Sequence, residues 1–108
     1  MISGEDVEDI AQGWVDEFSV DPYVLRARGM DSWFRLDDLI HNQPQDALLV
    51  FERVAEIELI NWTFEGFAIG PVRAFLMLHG ERFDKELSAI RSRNNAFDEM
   101  HQLATDGL

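Results

Sequence analysis

The chain of 108 residues has no cysteine and a single lysine, Lys85. The first absence excludes disulfide frameworks, thiolate catalysis and cysteine-ligated zinc. It also fits a reducing compartment and so points to the cytoplasm. Basic residues of any kind are scarce: nine against 21 acids give a formal net charge of −12 and a sequence pI near 4.4. Long apolar runs are missing as well. The charge-free stretches Leu59–Phe64, Gly66–Val72 and Ala74–Gly80 fall far short of the about 20 residues that a membrane-spanning helix needs. The opening Met1-Ile2-Ser3-Gly4-Glu5-Asp6 is acidic, whereas a secretory leader begins basic.

What is present suffices for one hydrophobic core. Hydrophobic residues make up 46% of the chain, and the length suits a single domain spanning 1–108. The charge is distributed unevenly. Residues 1–25 carry a net of −7 with no Lys or Arg, residues 26–65 carry −4, residues 66–95 carry +2, and residues 96–108 carry −3. Such a surface repels phosphate backbones, which are bound by neutralising them with Lys and Arg. Direct binding to nucleic acid or to an anionic membrane is therefore not expected. A basic protein partner is, because complementary potentials speed encounter and fix register.

Apolar residues recur at helical spacing throughout, and no run alternates long enough to suggest a strand. Ser3 is a good N-cap for a first helix, with Val7, Ile10, Ala11, Trp14, Val15 and Phe18 on one stripe. Acids in its first turns favour the positive helix end, and Asp21-Pro22 ends it, so residues 1–21 read as an acidic amphipathic helix. An arginine-rich connector, 23–30, closes at Gly29. Asp31 or Ser32 caps a second helix with Trp33, Leu36, Leu39 and Ile40 inward. Pro44 opens a third, with Ala47, Leu48, Phe51, Val54 and Ala55 inward. Asn61 caps a fourth, and Gly70-Pro71 stops it and starts a fifth carrying Val72, Phe75, Leu76 and Leu78. Gly80 ends that one. A sixth groups Phe83, Leu87 and Ile90, and Asn94 or Asn95 caps a last with Phe97, Met100 and Leu103. The expectation is an all-α domain of six to seven short helices with its core over 31–104, and helix pairs joined by tight turns leave stacked helical hairpins open as a packing.

Within this pattern stand Asp37-Asp38-Leu39-Ile40, a Pro44-led helix, Gly70-Pro71, and Phe75-Leu76-x-x-His79-Gly80 with Phe83 three residues on. Over residues 33–103 the chain resembles a small bacterial all-helical domain family of unknown function. The resemblance implies a helical fold and no activity. The family tends to have Gly-Pro-Leu-Glu-x-Leu-Leu at its middle motif. This chain has Gly70-Pro71-Val72-Arg73-Ala74-Phe75-Leu76, so no role of that carboxylate passes to Arg73.

Catalytic patterns are absent. The three imidazoles, His41, His79 and His101, do not pair at helical spacing, and a metal would need His79 to meet another histidine beside Glu81 or Glu99. Neighbouring carboxylates such as Asp37-Asp38 and Asp98-Glu99 diverge by about 100° on a helix and do not converge on one atom. No nucleophile elbow, phosphate loop or dinucleotide fingerprint occurs. Lys85 reads as a partner of Glu81 at i−4, and Gly66-x-x-x-Gly70 as a site of tight packing. No enzyme, cofactor or metal is expected.

Two features point to binding. Glu5, Asp6, Glu8, Asp9, Asp16 and Glu17 form a carboxylate face that either keeps the chain dissolved or docks onto basic protein, imitating phosphate charges in a groove that normally holds nucleic acid. Trp62 points away from the face shared by Ile60, Phe64 and Phe67, which makes it an apolar anchor if exposed. Trp14 and Trp33 lie in phase with their helices' apolar stripes and read as core. The sequence thus predicts an inhibitor or immunity-type binder of a basic protein. The alternatives are a homo-oligomer pairing through Leu59–Phe67 and, more remotely, a histidine-based metalloenzyme.

Overall fold

Ser3 caps the chain's first helix as expected: its Oγ accepts the Asp6 N–H at 3.1 Å. The computed structural model describes residues 2–18 and 31–106. The Asp21-Pro22 stop and the 23–30 connector with Gly29 lie outside them. Helix α1 (Gly4–Phe18) is followed by α2 (Asp31–Asn42) and α3 (Pro44–Glu56). A continuous rod comes next, made of α4 (Asn61–Phe67), a π-helical turn (Ala68–Val72) and α5 (Arg73–His79). Helices α6 (Asp84–Arg93) and α7 (Asn95–Thr105) complete the chain. The described residues thus form six helical rods and no strand, and none of the helices is long and apolar enough to cross a membrane. The radius of gyration, 13.0 Å, is what a compact chain of this length has.

Most helix ends follow their local chemistry. Pro44 takes the first position of α3, where its missing N–H costs nothing. Asn94 caps α7 by accepting the Phe97 N–H at 3.0 Å. Helix α3 packs on α1, α2 and α7, while the rod lies against α2 and α7. The consecutive pairs α2–α3 and α6–α7 each pack as a hairpin.

The core is threaded by aromatic rings. Phe51 on α3 sits 5.5 Å from Phe67 and 5.5 Å from Phe75, with Phe97 at 6.5 Å. Trp14 extends the column from Phe67 at 4.7 Å, and Phe83 from Phe75 at 5.5 Å. All of these meet edge to face except the stacked Phe51–Phe97 pair, and the edge-to-face contacts suit the ring quadrupoles.

Gly70-Pro71 does not stop the helix. Proline lacks the N–H that an α-helix needs, and its ring presses on the carbonyl four residues back. The chain meets both demands by widening one turn, in which the Arg73 N–H donates to the Ala68 carbonyl five residues earlier. Eight α-helical residues would carry Phe75 about 80° round from Phe67. The wider turn takes that drift back, and both rings are fully buried.

Other differences have local causes. Ile60, not Asn61, is the N-cap of α4, and its backbone is extended. It therefore leaves the helical face assigned to it and is 61% exposed. Leu78 and Leu103 are exposed, the inward position near the end of α7 being filled by Ala104. Trp33 is only half-buried, packed at the edge of the core. Gly66 and Gly70 face open space; the close approaches are at Gly13, where a Cβ would run into the Ser32 side chain, and at Gly80, where it would meet the Leu76 carbonyl. No Lys85–Glu81 ion pair forms, because Glu81 lies in the turn before α6 and the i−4 spacing is not helical there.

Because Phe51 touches rings from the rod on both sides of the π turn and from α7, Phe51→Ala should cost about 3–5 kcal/mol in urea unfolding. A loss below about 1 kcal/mol would show that the column does not hold the helices together.

Candidate functional site

Helical phase divides the acids of α1. Glu5, Asp9 and Asp16 lie within about 40° of one another on the side opposite Trp14, and all three are exposed. They rise along the axis by about 6 Å and then about 10 Å. Gln12 shares their line and donates its side-chain amide to Asp16 at 3.1 Å. Asp6 is exposed on the flank, 3.9 Å from Arg35. Glu5 and Asp9 have no ion-pair partner among the described residues.

Glu8 and Glu17 are used within the fold. Glu8 accepts two hydrogen bonds from the Arg53 guanidinium, one at 3.1 Å, which ties α1 to α3. These bonds hold its carboxyl below the usual range. Glu17 is half-buried and turns its two oxygens onto the Ser32 and Trp33 N–H groups, at 3.0 and 3.1 Å. It caps α2 from another helix, the task assigned by sequence to Asp31 or Ser32. Five of the six expected contact acids are exposed, Glu5, Asp6, Glu8, Asp9 and Asp16, and of these Glu8 is bonded to Arg53.

The described arginines are largely spent inside the molecule. Arg91 bonds Asp98 at 2.7 Å, and Arg93 bonds Glu52 at 2.7 and 2.8 Å. Hydrogen bonding from these arginines is the main reason both carboxyls titrate below their usual values. Arg73 caps the end of α7. It donates to the Ala104, Leu103 and Asp106 carbonyls at 3.0, 3.3 and 2.9 Å, where a cation also suits the helix dipole. Arg82 lies 5.3 Å from the Phe83 ring centroid. Among the described residues, none of these cations pairs with Glu5, Asp9 or Asp16.

Trp62 is 55% exposed. Ile69 and Met77, on the same rod, are exposed too, and with the π turn counted the three fall on one outward side. The histidines are dispersed in role. His79 donates from Nε2 to the Ile40 carbonyl at 2.8 Å, and His41 Nδ1 lies 2.9 Å from the Asp37 carbonyl. No group of three His, Asp or Glu among the described residues could hold a metal.

One residue escaped the sequence reading. Asp46, the third residue of α3, is 7% exposed; it forms no ion pair among the described residues, and its carboxylate is not among the buried polar atoms left without a partner. It lines a groove of about 310 Å³ between α3 and α6. Asp46 was not among the inward positions that periodicity picked out on its helix, and its one signal was its place directly before Ala47.

Two predictions follow from these partners. Glu17→Ala should destabilise the fold by about 1–2 kcal/mol, as loss of a helix cap does, while Glu17→Gln should retain part of that through its one accepting oxygen; urea titration reads both. His101 is half-buried, and burial chiefly, with Arg91 adding to it against Asp98 and Asp84, holds its imidazole below the usual 6.5. The unfolded chain then binds the extra proton first, so stability falls as pH drops below 6.5 towards the folded value. Melting temperature should decline over that window in the wild type and stay flatter in His101→Gln. Both proteins should share the further loss below the ordinary 4.5 of Glu8 and Glu52.

No protein-family model matches the chain, and neither the curated proteins nor the solved structures give a significant match to it.

Proposed function

We propose that this chain is a non-enzymatic interaction protein that binds, and by occupying its groove inhibits, a basic nucleic-acid-binding protein, as immunity proteins and phage anti-CRISPR inhibitors do. The observation that carries this reading is the exposed line Glu5–Asp9–Asp16 on a regular helix, which has no ion-pair partner among the described residues. A rigid row of carboxylates presents fixed charge to a cationic groove without the entropy cost of ordering a flexible acidic tail. The setting we infer is the cytoplasm, and the resemblance of residues 33–103 to the helical bacterial family adds a fold to the reading and no activity.

A second reading, a homo-oligomer, is favoured by the exposed Trp62, Ile69 and Met77 on one side of the rod. Sedimentation over a wide concentration range decides it, since a monomer throughout removes it.

For the leading reading, Glu5→Lys/Asp9→Lys/Asp16→Lys should weaken binding to a basic partner recovered from the host by about tenfold or more, roughly 1.4 kcal/mol. Its helical circular dichroism should be unchanged. A control reversing Glu58, Glu81 and Glu99, equal in charge but away from α1, should bind almost as the wild type does. Equal binding by the α1 variant at low salt, where surface electrostatics is strongest, would defeat the docking face.

A further inference from the structure

We infer that the groove between α3 and α6 seats a basic amphipathic segment of the partner, with an apolar side chain on Leu49 and Ala89 and a Lys or Arg head at Asp46. The inference rests on the reading of the chain as a binder of basic protein and names where on it the partner's side chains go.

Both walls of the groove pack on α7. Leu48 and Ile90 form its buried floor, and Leu49 and Ala89 are exposed along it. A groove of about 310 Å³ is at the lower limit for small-molecule sites, which run from about 300 to 1,000 Å³, and suits one or two side chains.

Charge selects the occupant. Arg93 is the only cation on the groove, and it is bonded to Glu52 at 2.7 Å. Asp46 and Glu86 are left, a net of two negative charges beside apolar surface. The dipole of α3 favours an acid in its first turn, and the Asp46 carboxylate, on a residue 7% exposed, meets solvent in the open groove; an occupant that covers it displaces that water and has to bring a donor of its own. A guanidinium or ammonium supplies it, and the aliphatic stem of Arg or Lys covers apolar surface on the way. An anionic or wholly apolar segment would leave Asp46 buried and unpaired.

The test uses the full chain, labelled for amide NMR, and two short synthetic helical peptides of equal positive charge. One carries Leu and Arg at helical spacing, and the other has Ser in place of Leu. The Leu/Arg peptide should shift the amides of Leu49, Ala89 and Ile90 and bind about tenfold more tightly than its Ser counterpart. Asp46→Asn and Ala89→Lys, the second at an exposed position that keeps the fold, should each remove at least fivefold of that affinity. Equal binding of the two peptides, shifts confined to α1, or unchanged binding by both variants would overturn the inference. So would agmatine alone shifting the same amides as tightly as the peptide, which would make this a small-cation site. The α1 triple variant separates the two readings. If it still takes the peptide in the groove but keeps full partner affinity, the α1 face is wrong and the groove stands. If it loses the partner while groove variants bind the peptide normally, the groove is wrong and α1 stands.

Discussion

The packing of rings around Phe51 is the constraint to which the rest of the chain adjusts. Phe67 and Phe75 must both reach it from a single rod, on either side of a proline. A regular α-helix would put them on diverging faces, and a broken one would lose the rigid link between them. The π turn at Ala68–Val72 is the solution that keeps both. Edge-to-face pairs of this kind contribute about 0.5–1.5 kcal/mol each beyond burial. The same packing leaves Trp14 Nε1 and Thr63 Oγ1 buried without partners among the described residues, at about 1–3 kcal/mol apiece. Ring geometry outweighs hydrogen-bond satisfaction in this core.

Electrostatics divides the labour differently. Exposed ion pairs contribute little individually, about 0–1 kcal/mol. Here their placement matters more than their strength. Arg53 with Glu8 joins α1 to α3, Arg93 with Glu52 joins α6 to α3, and Arg91 with Asp98 joins α6 to α7. The planar fork of arginine makes such clamps directional where lysine would be a point charge, which accounts for the near absence of lysine in a chain with few cations to spend. Each clamp takes one anion out of the outer field with its cation. The net negative charge is therefore set by composition, and the clamps decide only which acids remain unpaired.

Local signals were legible and long-range ones were not. Ser3, Pro44 and Asn94 act within their own helices, so spacing along the sequence revealed them. The stripe of α1 was readable for the same reason. The capping role of Glu17 was not legible because its partners are the first N–H groups of α2, fifteen and sixteen residues away, and on α1 alone it is one more acid. Pro71 was misread because local rules allow a proline to end a helix, while the decision to widen the turn instead is taken by Phe51 on another element. Trp33 has the right phase for burial but stands at the rim, where phase says nothing about how far the neighbouring helix extends. Asp46 was invisible because a groove belongs to two helices that are distant in sequence.

In the proposed reading the two acidic features act at different ranges, and that separates their effects. The line on α1 projects its field into solvent within a Debye length of about 8 Å at physiological salt, so it governs encounter rate and salt dependence. The groove acts on contact, where a partly desolvated carboxylate meeting a donor governs how long a complex lasts. Helix α3 is common to both, held by Arg53 to α1 on one side and by Glu52 to α6 on the other. A partner touching both features would meet them in fixed relative positions, with no ordering cost on this chain's side. That rigidity traces back to the rings around Phe51, and recognition is in this sense a property of the core as much as of the surface.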